Sequence, residues 1–201
     1  CGTALPMPPV SFNLDTCASP CTVCYLTVGR RHLIGSCSAV VDIVLHLRPD
    51  IVFLGDLVTS RNHIGRLKKQ IERDLRDEWY LVTNISALPG RPVGIGAIIH
   101  CSLAKHITDC AITPPHHVNK TDWDAAVAGR ILRLQITRPG VQSAWEFIGV
   151  YQHVAKSANR TARSLLRETL GAALQVAKQE NKRVMLIGDF NAAPIDGRWG
   201  Y

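Results

Sequence analysis

Apolar runs bounded by glycine or proline punctuate this chain. Near its end, Val184, Met185, Leu186 and Ile187 follow the charged segment 178–183 without a polar interruption and stop at Gly188. Such a run predicts a strand buried on both faces. Ile51, Val52, Phe53 and Leu54 repeat the pattern ahead of Gly55 and Asp56, and 10–14 is a shorter stretch of the same kind. Between them, Trp79–Ile85, 93–100, 107–113, 129–137 and Trp145–Tyr151 read as strands parted by Pro/Gly turns. Residues 129–137 alternate, with one wetter face.

Helical spacing marks three further segments. Residues 36–48 carry Val40, Val41, Val44, Leu45 and Leu47 on one face, with Ser36 or Ser38 as cap and Pro49 as stop. Residues 59–77 place Ile64, Leu67, Ile71 and Leu75 on a stripe, with Lys68, Lys69 and Arg73 on the wet side. Residues 161–179 turn Leu165, Leu166, Leu170, Ala173, Leu174 and Ala177 inward. Arg160, Arg163 and Arg167 stand near the start of that helix, against its dipole, so they are either solvated or meet an anion.

At 201 residues the chain fits one domain with a sizeable core. Lys plus Arg number 23 against 16 for Asp plus Glu, a net +7 that leans towards polyanionic partners such as nucleic acid. No apolar run approaches the ~18 residues of a membrane span. The chain starts at Cys1, and 1–9 lack the order of a signal peptide. Seven cysteines, an odd number, favour a reducing compartment. The sequons at Asn84, Asn119 and Asn159 point the other way.

Candidate chemistry gathers at strand ends. Asp189 and Asn191 lie two apart, so an extended chain projects them together. Such a pair suits a water to be activated and a phosphate to be held. Asn13 and Asp15 repeat the spacing after 10–14, as a second site pair or as an Asx-turn. Cys17-x3-Cys21-x2-Cys24 has three readings. They are free thiols in a loop, zinc completed by Cys37 and His32, or the iron–sulfur spacing of radical S-adenosylmethionine enzymes. His116 and His117 are an exposed loop or a metal pair.

Four segments in order carry a resemblance: Ser11-Phe12-Asn13-Leu14-Asp15, the run from Arg48 through Pro49 and Asp50 to Asp56, Ile148-Gly149-Val150-Tyr151, and Ile187-Gly188-Asp189-Phe190-Asn191. They resemble the endonuclease/exonuclease/phosphatase superfamily, closest in style to the endonuclease domains of LINE-type (non-LTR) retrotransposons. The resemblance implies an α+β, four-layer α/β sandwich of two packed, mostly antiparallel sheets flanked by helices, with the last strands missing. It also implies a single domain over 1–201, incomplete at the C-terminus, with its site at one rim.

The resemblance further implies a divalent-metal-dependent endonuclease that nicks DNA, using Mg²⁺ or Mn²⁺. A downstream reverse transcriptase in the parent polyprotein and a nuclear location in a eukaryotic host go with it. Asp189 would deprotonate the attacking water, Asn191 would hold it or the phosphate, and Tyr151 would bond a non-bridging oxygen. Asn13 would hold the catalytic carboxylate or the phosphate, and Asp15 and Asp56 would sit on the metal side. The chain departs from the pattern at Asp56, where the family has glutamate, one methylene or about 1.5 Å longer. Gly55 replaces a glutamine, His153 replaces a proline, and no Ser-Asp-His ending follows. The truncated chain is therefore expected to be inactive by itself. Two other readings stand beside the nuclease: a phosphatase or phosphodiesterase of the same fold, and a non-catalytic relic that only binds nucleic acid.

Overall fold

A computed structural model describes residues 10–12, 21–28, 33–57, 61–86, 93–114, 117–137, 143–154 and 156–191, with side chains left out at 10–12, 33–36, 61 and 62. The strands are β1 (Val10–Phe12), β2 (Cys21–Thr27), β3 (Ile51–Gly55), β4 (Trp79–Ile85), β5 (Gly94–His100), β6 (Ile107–Cys110), β7 (Ile131–Ile136), β8 (Trp145–Tyr151) and β9 (Arg183–Asp189). The helices are α1 (Leu33–Leu47), α2 (Arg61–Asp74), α3 (Lys120–Val127) and α4 (Arg160–Gln179).

The strands form two sheets, ordered β1-β2-β3-β5-β4 and β6-β7-β8-β9. Pairing is antiparallel except for β2 with β3 and β8 with β9. Val23, Tyr25, Ile51, Phe53, Ile95, Leu134, Phe147 and Ile187 fill the space between the sheets. Because side chains alternate along a strand, Cys24, Leu26, Val52, Leu54 and Ile98 face the other way. They pack under α1 and α2, through Val40, Val44, Leu67 and Ile71. Ile131, Ile148 and Val150 similarly meet Trp123 of α3 and Leu166 and Leu170 of α4. The result is the expected four-layer α+β sandwich. Burying one such Leu, Ile or Phe is worth about 1.5–3 kcal/mol, and Phe53, Ile51, Leu54 and Phe147 are all fully buried.

Four elements differ from the sequence expectation. Residues 17–24 contain a core strand, β2, rather than a loop. β9 is the last strand of its sheet among the described residues, and its run is buried on one face only: Leu186 is 39% exposed, and Ile187 turns inward. α3 forms in a stretch to which the pattern assigned no element, just past His116 and His117. It begins at Asn119, whose side chain accepts from the Thr121 N–H at 2.8 Å, an N-cap. α1 starts at Leu33, ahead of the serines proposed as its cap, and ends as expected, at Arg48 in the left-handed region (φ 45°) before Pro49.

Candidate active site

The carboxyl ends of β8 and β9 lie side by side, with Tyr151 paired to Asp189. Both continue the inward-facing positions set by Phe147 and Ile187, so both open at one rim of the sandwich. Gly188 permits the approach, since a Cβ there would stand 2.0 Å from the Val150 carbonyl oxygen. Beyond the strands the chain is tied down. The Asn191 N–H donates to Asp189 Oδ1 at 2.9 Å, and Asn191 Nδ2 donates to the Gln152 carbonyl at 2.6 Å. The Gln152 N–H donates to the Asp189 carbonyl at 2.8 Å. Arg163, from the first turns of α4, donates through Nη1 to the carbonyls of Asn191 (3.1 Å) and His153. Its charge is spent on carbonyl oxygens, which settles the role of one of the three arginines at that helix end.

The opposite wall comes from the first sheet. β3 ends at Gly55, and Asp56 follows with φ 56°. Gly55 has no room for a side chain: a Cβ would lie 1.8 Å from the Tyr25 hydroxyl oxygen. That hydroxyl donates to the Val150 carbonyl at 3.3 Å and is hydrogen-bonded by the Asp189 main chain. Tyr25 of one sheet therefore stitches the ends of β8 and β9 in the other. The Tyr151 hydroxyl donates to the Asp56 carboxylate, a bond that also crosses between sheets. Arg130 lies 5.2 Å from the Tyr151 ring centroid and donates to the Tyr151 carbonyl at 3.2 Å.

Electrostatics follow from this crowding. Burial, reinforced by the neighbouring Asp56 and Asp189, drives the Tyr151 hydroxyl well above its ordinary range. Burial does the same to Tyr25. Both stay protonated near neutrality and serve as donors. Arg130 is lowered by burial, while Tyr151 and Asp56 pull it the other way. His153 is lowered by burial and by Arg130 and Arg163. Its Nε2 meets the Ala126 carbonyl in the last turn of α3 at 2.8 Å.

Of the residues expected at the site, the structure brings Asp56, Tyr151, Asp189 and Asn191 together. Asn13 and Asp15 lie outside the described residues. The strand leading to them ends with Phe12 paired to Cys21, whereas Thr27, at the other end of β2, pairs with Gly55 at the rim. Those ends of β2 are six residues apart, about 20 Å of strand. Cys17, His32 and His116 are also outside the described residues. Cys21 and Cys24 point to opposite faces of β2, so they do not chelate one ion. Burial pushes the Cys24 thiol up to about 12. His117 pairs with Glu168 at 2.7 Å. Among the described residues no group of three or more His, Cys, Asp or Glu side chains could hold a metal. Tyr25 and Arg130 were not singled out from sequence. Tyr25 sits among the cysteines, and Arg130 follows Gly129 as an ordinary strand-opening residue.

No protein-family model and no curated protein sequence matches the chain. Solved structures do. An AP endonuclease from Archaeoglobus fulgidus matches at 18% identity and TM-score 0.56, over 86% of this chain and 58% of its own. An endonuclease/exonuclease/phosphatase family protein from Leptotrichia buccalis matches at 16% and 0.55, over 83% and 66%. D. rerio TDP2 complexed with single strand DNA product matches at 17% and 0.52, over 85% and 60%. The fold is therefore that of endonuclease/exonuclease/phosphatase proteins. The chain spans 44–66% of the length of the structures it matches.

Proposed function

We propose that the chain forms the catalytic rim of a divalent-metal-dependent phosphodiester hydrolase that nicks DNA, of the kind found in retrotransposon polyproteins. The observation that carries this reading is the meeting of Asp56 from one sheet with Tyr151 and Asp189 from the other. In the proposed reaction Asp189 takes a proton from a water. The water oxygen forms a bond to phosphorus, and the opposite P–O bond breaks with its electron pair leaving on oxygen. Asn191, fixed by Asp189, Gln152 and Arg163, holds that water or the phosphate in line. The protonated Tyr151 hydroxyl turns from Asp56 to a non-bridging phosphate oxygen, and the adjacent Arg130 charge favours the anion.

The donor chemistry fits Mg²⁺ or Mn²⁺, because Mg²⁺ takes one or two carboxylates and completes its shell with waters and substrate phosphate. Asp56 would hold it, and the bound ion would offset charge developing on the phosphate. The resemblance would add Asn13 and Asp15 to this set, and both lie outside the described residues.

DNA as substrate is supported by the net charge of +7 and by the DNA-bound TDP2 neighbour. The retrotransposon form of the proposal adds a reverse transcriptase in the parent polyprotein and a nuclear site of action. Among the described residues no helix is long and apolar enough to cross a membrane. A second reading, a phosphatase or phosphodiesterase acting on another substrate, draws on the likeness to ANGEL2, a 2',3'-cyclic phosphatase, at TM-score 0.53. A non-catalytic relic draws on the Tyr151–Asp56 hydrogen bond, which occupies both groups. Nicking of supercoiled plasmid by the parent protein with Mg²⁺, stopped by EDTA and by Asp189→Asn, supports the nuclease. Salt-sensitive DNA binding without nicking supports the relic, and turnover of small phosphoesters without nicking supports the phosphatase.

A further inference from the structure

Between edge strands β4 and β6 the molecule holds a cavity of about 490 Å³, walled on a third side by α3. It lies beside the rim just described. Asn84, on its wall, donates through Nδ2 to the Ile131 carbonyl at 2.8 Å. Ile131 pairs with Val150, and the preceding residue, Arg130, accepts from the Tyr151 N–H. With Cα atoms ~3.8 Å apart along a chain and ~5 Å across an antiparallel pair, the Cα atoms of Ile131 and Tyr151 are about 6 Å apart. A stacked nucleic-acid strand covers that distance in roughly two steps of ~3.4 Å.

The lining decides what enters. Both of its cations are already engaged. Lys120 donates to Asp124 at 3.1 Å, while Arg133 donates to Glu146 at 2.6 Å and to the Ala111 carbonyl at 3.3 Å. Asp124 is taken up by Lys120 in turn, so the carboxylate left on the wall is that of Asp109, which disfavours a phosphate there. What remains is the Asp109 carboxylate as acceptor beside the Trp123 ring, whose indole N–H is turned away to Thr169 at 3.3 Å. Asp109 is exposed at the surface, so its carboxylate is reachable from solvent. A planar, uncharged heterocycle bearing an exocyclic amine matches this lining, since carboxylates accept from amines such as cytosine N4.

We infer that the cavity is a subsite for an amine-bearing nucleobase of the strand whose phosphodiester lies at Tyr151 and Asp189. The assignment rests on the nuclease reading for its purpose, and its test does not depend on cleavage. The ¹⁵N-labelled chain is titrated separately with deoxycytidine, thymidine and inorganic phosphate. Deoxycytidine should shift the amides of Asp109 and Ala111 and the Trp123 indole N–H, at least several-fold more than thymidine does. Phosphate should leave these signals in place. Ala111→Trp, which fills the mouth, should abolish the shifts, and Asp109→Asn should erase the preference over thymidine. Absence of shifts with deoxycytidine, equal shifts with thymidine, or shifts with phosphate would each overturn the assignment. Plasmid nicking is scored apart, so loss of the base subsite and loss of the nuclease reading are told apart.

Discussion

The two walls of the candidate site are built differently. On the second sheet, Tyr151, Asp189 and Asn191 are held by bonds among near neighbours, from one strand end to the next and to Arg163 on α4. On the first sheet, Asp56 sits just past Gly55, whose missing side chain is replaced in space by the Tyr25 hydroxyl from another strand. The second wall is a local motif; the first is a packing solution. A motif survives being read one segment at a time. A packing solution exists only once the sheets meet, and its weakest point is the contact across them.

The largest expected effect is on the motif wall. Asp189→Asn keeps the shape and removes the proton acceptor, and general-base catalysis is typically worth 10²–10⁴-fold. Nicking rate should fall in that range while DNA binding holds. On the packing wall, Gly55→Ala drives a methyl into Tyr25. Overpacking costs typically 1–3 kcal/mol, to be read as a lower urea midpoint. Tyr25→Phe alone should cost about 0.5–1.5 kcal/mol for its hydrogen bonds. In the double variant part of the Gly55→Ala penalty should return, because the oxygen is gone. Additive losses would mean the two residues do not share that space.

A smaller effect concerns pH. His153 is held below its ordinary value of 6.5, so between its folded value and about 6.5 the unfolded chain binds more protons than the folded one. Its contribution to stability is complete above that window and is lost as pH falls through it. His153→Asn should flatten the dependence of the urea midpoint between pH 7 and 5.

What the sequence disclosed matches this division. Trp79–Ile85 and Trp145–Tyr151 form as their patterns predict, and Asp189 with Asn191 emerge together from β9. The pattern was misread where local cues and tertiary context disagree. Cys21 and Cys24 look like ligands by spacing, yet alternate across a strand. The apolar run at 184–187 reads as doubly buried, yet Leu186 is exposed and Ile187 alone is buried. α3 is short and weakly amphipathic, and its one clear signal, the Asn119 cap, doubles as a sequon. Tyr25 and Arg130 acquire meaning solely from contacts with Gly55, Val150 and Tyr151, which are distant in sequence.

The central claim is that Asp56 and Asp189, one from each sheet, face a common ion and phosphate. Titration of the ¹⁵N-labelled chain with substoichiometric Mn²⁺ tests it most directly, through paramagnetic broadening. The account predicts that the amides of Leu57, Tyr151 and Asp189 broaden together, and that Asp56→Ala abolishes the effect at all three. Broadening at one wall without the other, or centred on Asp109 and Asp124 instead, would contradict it.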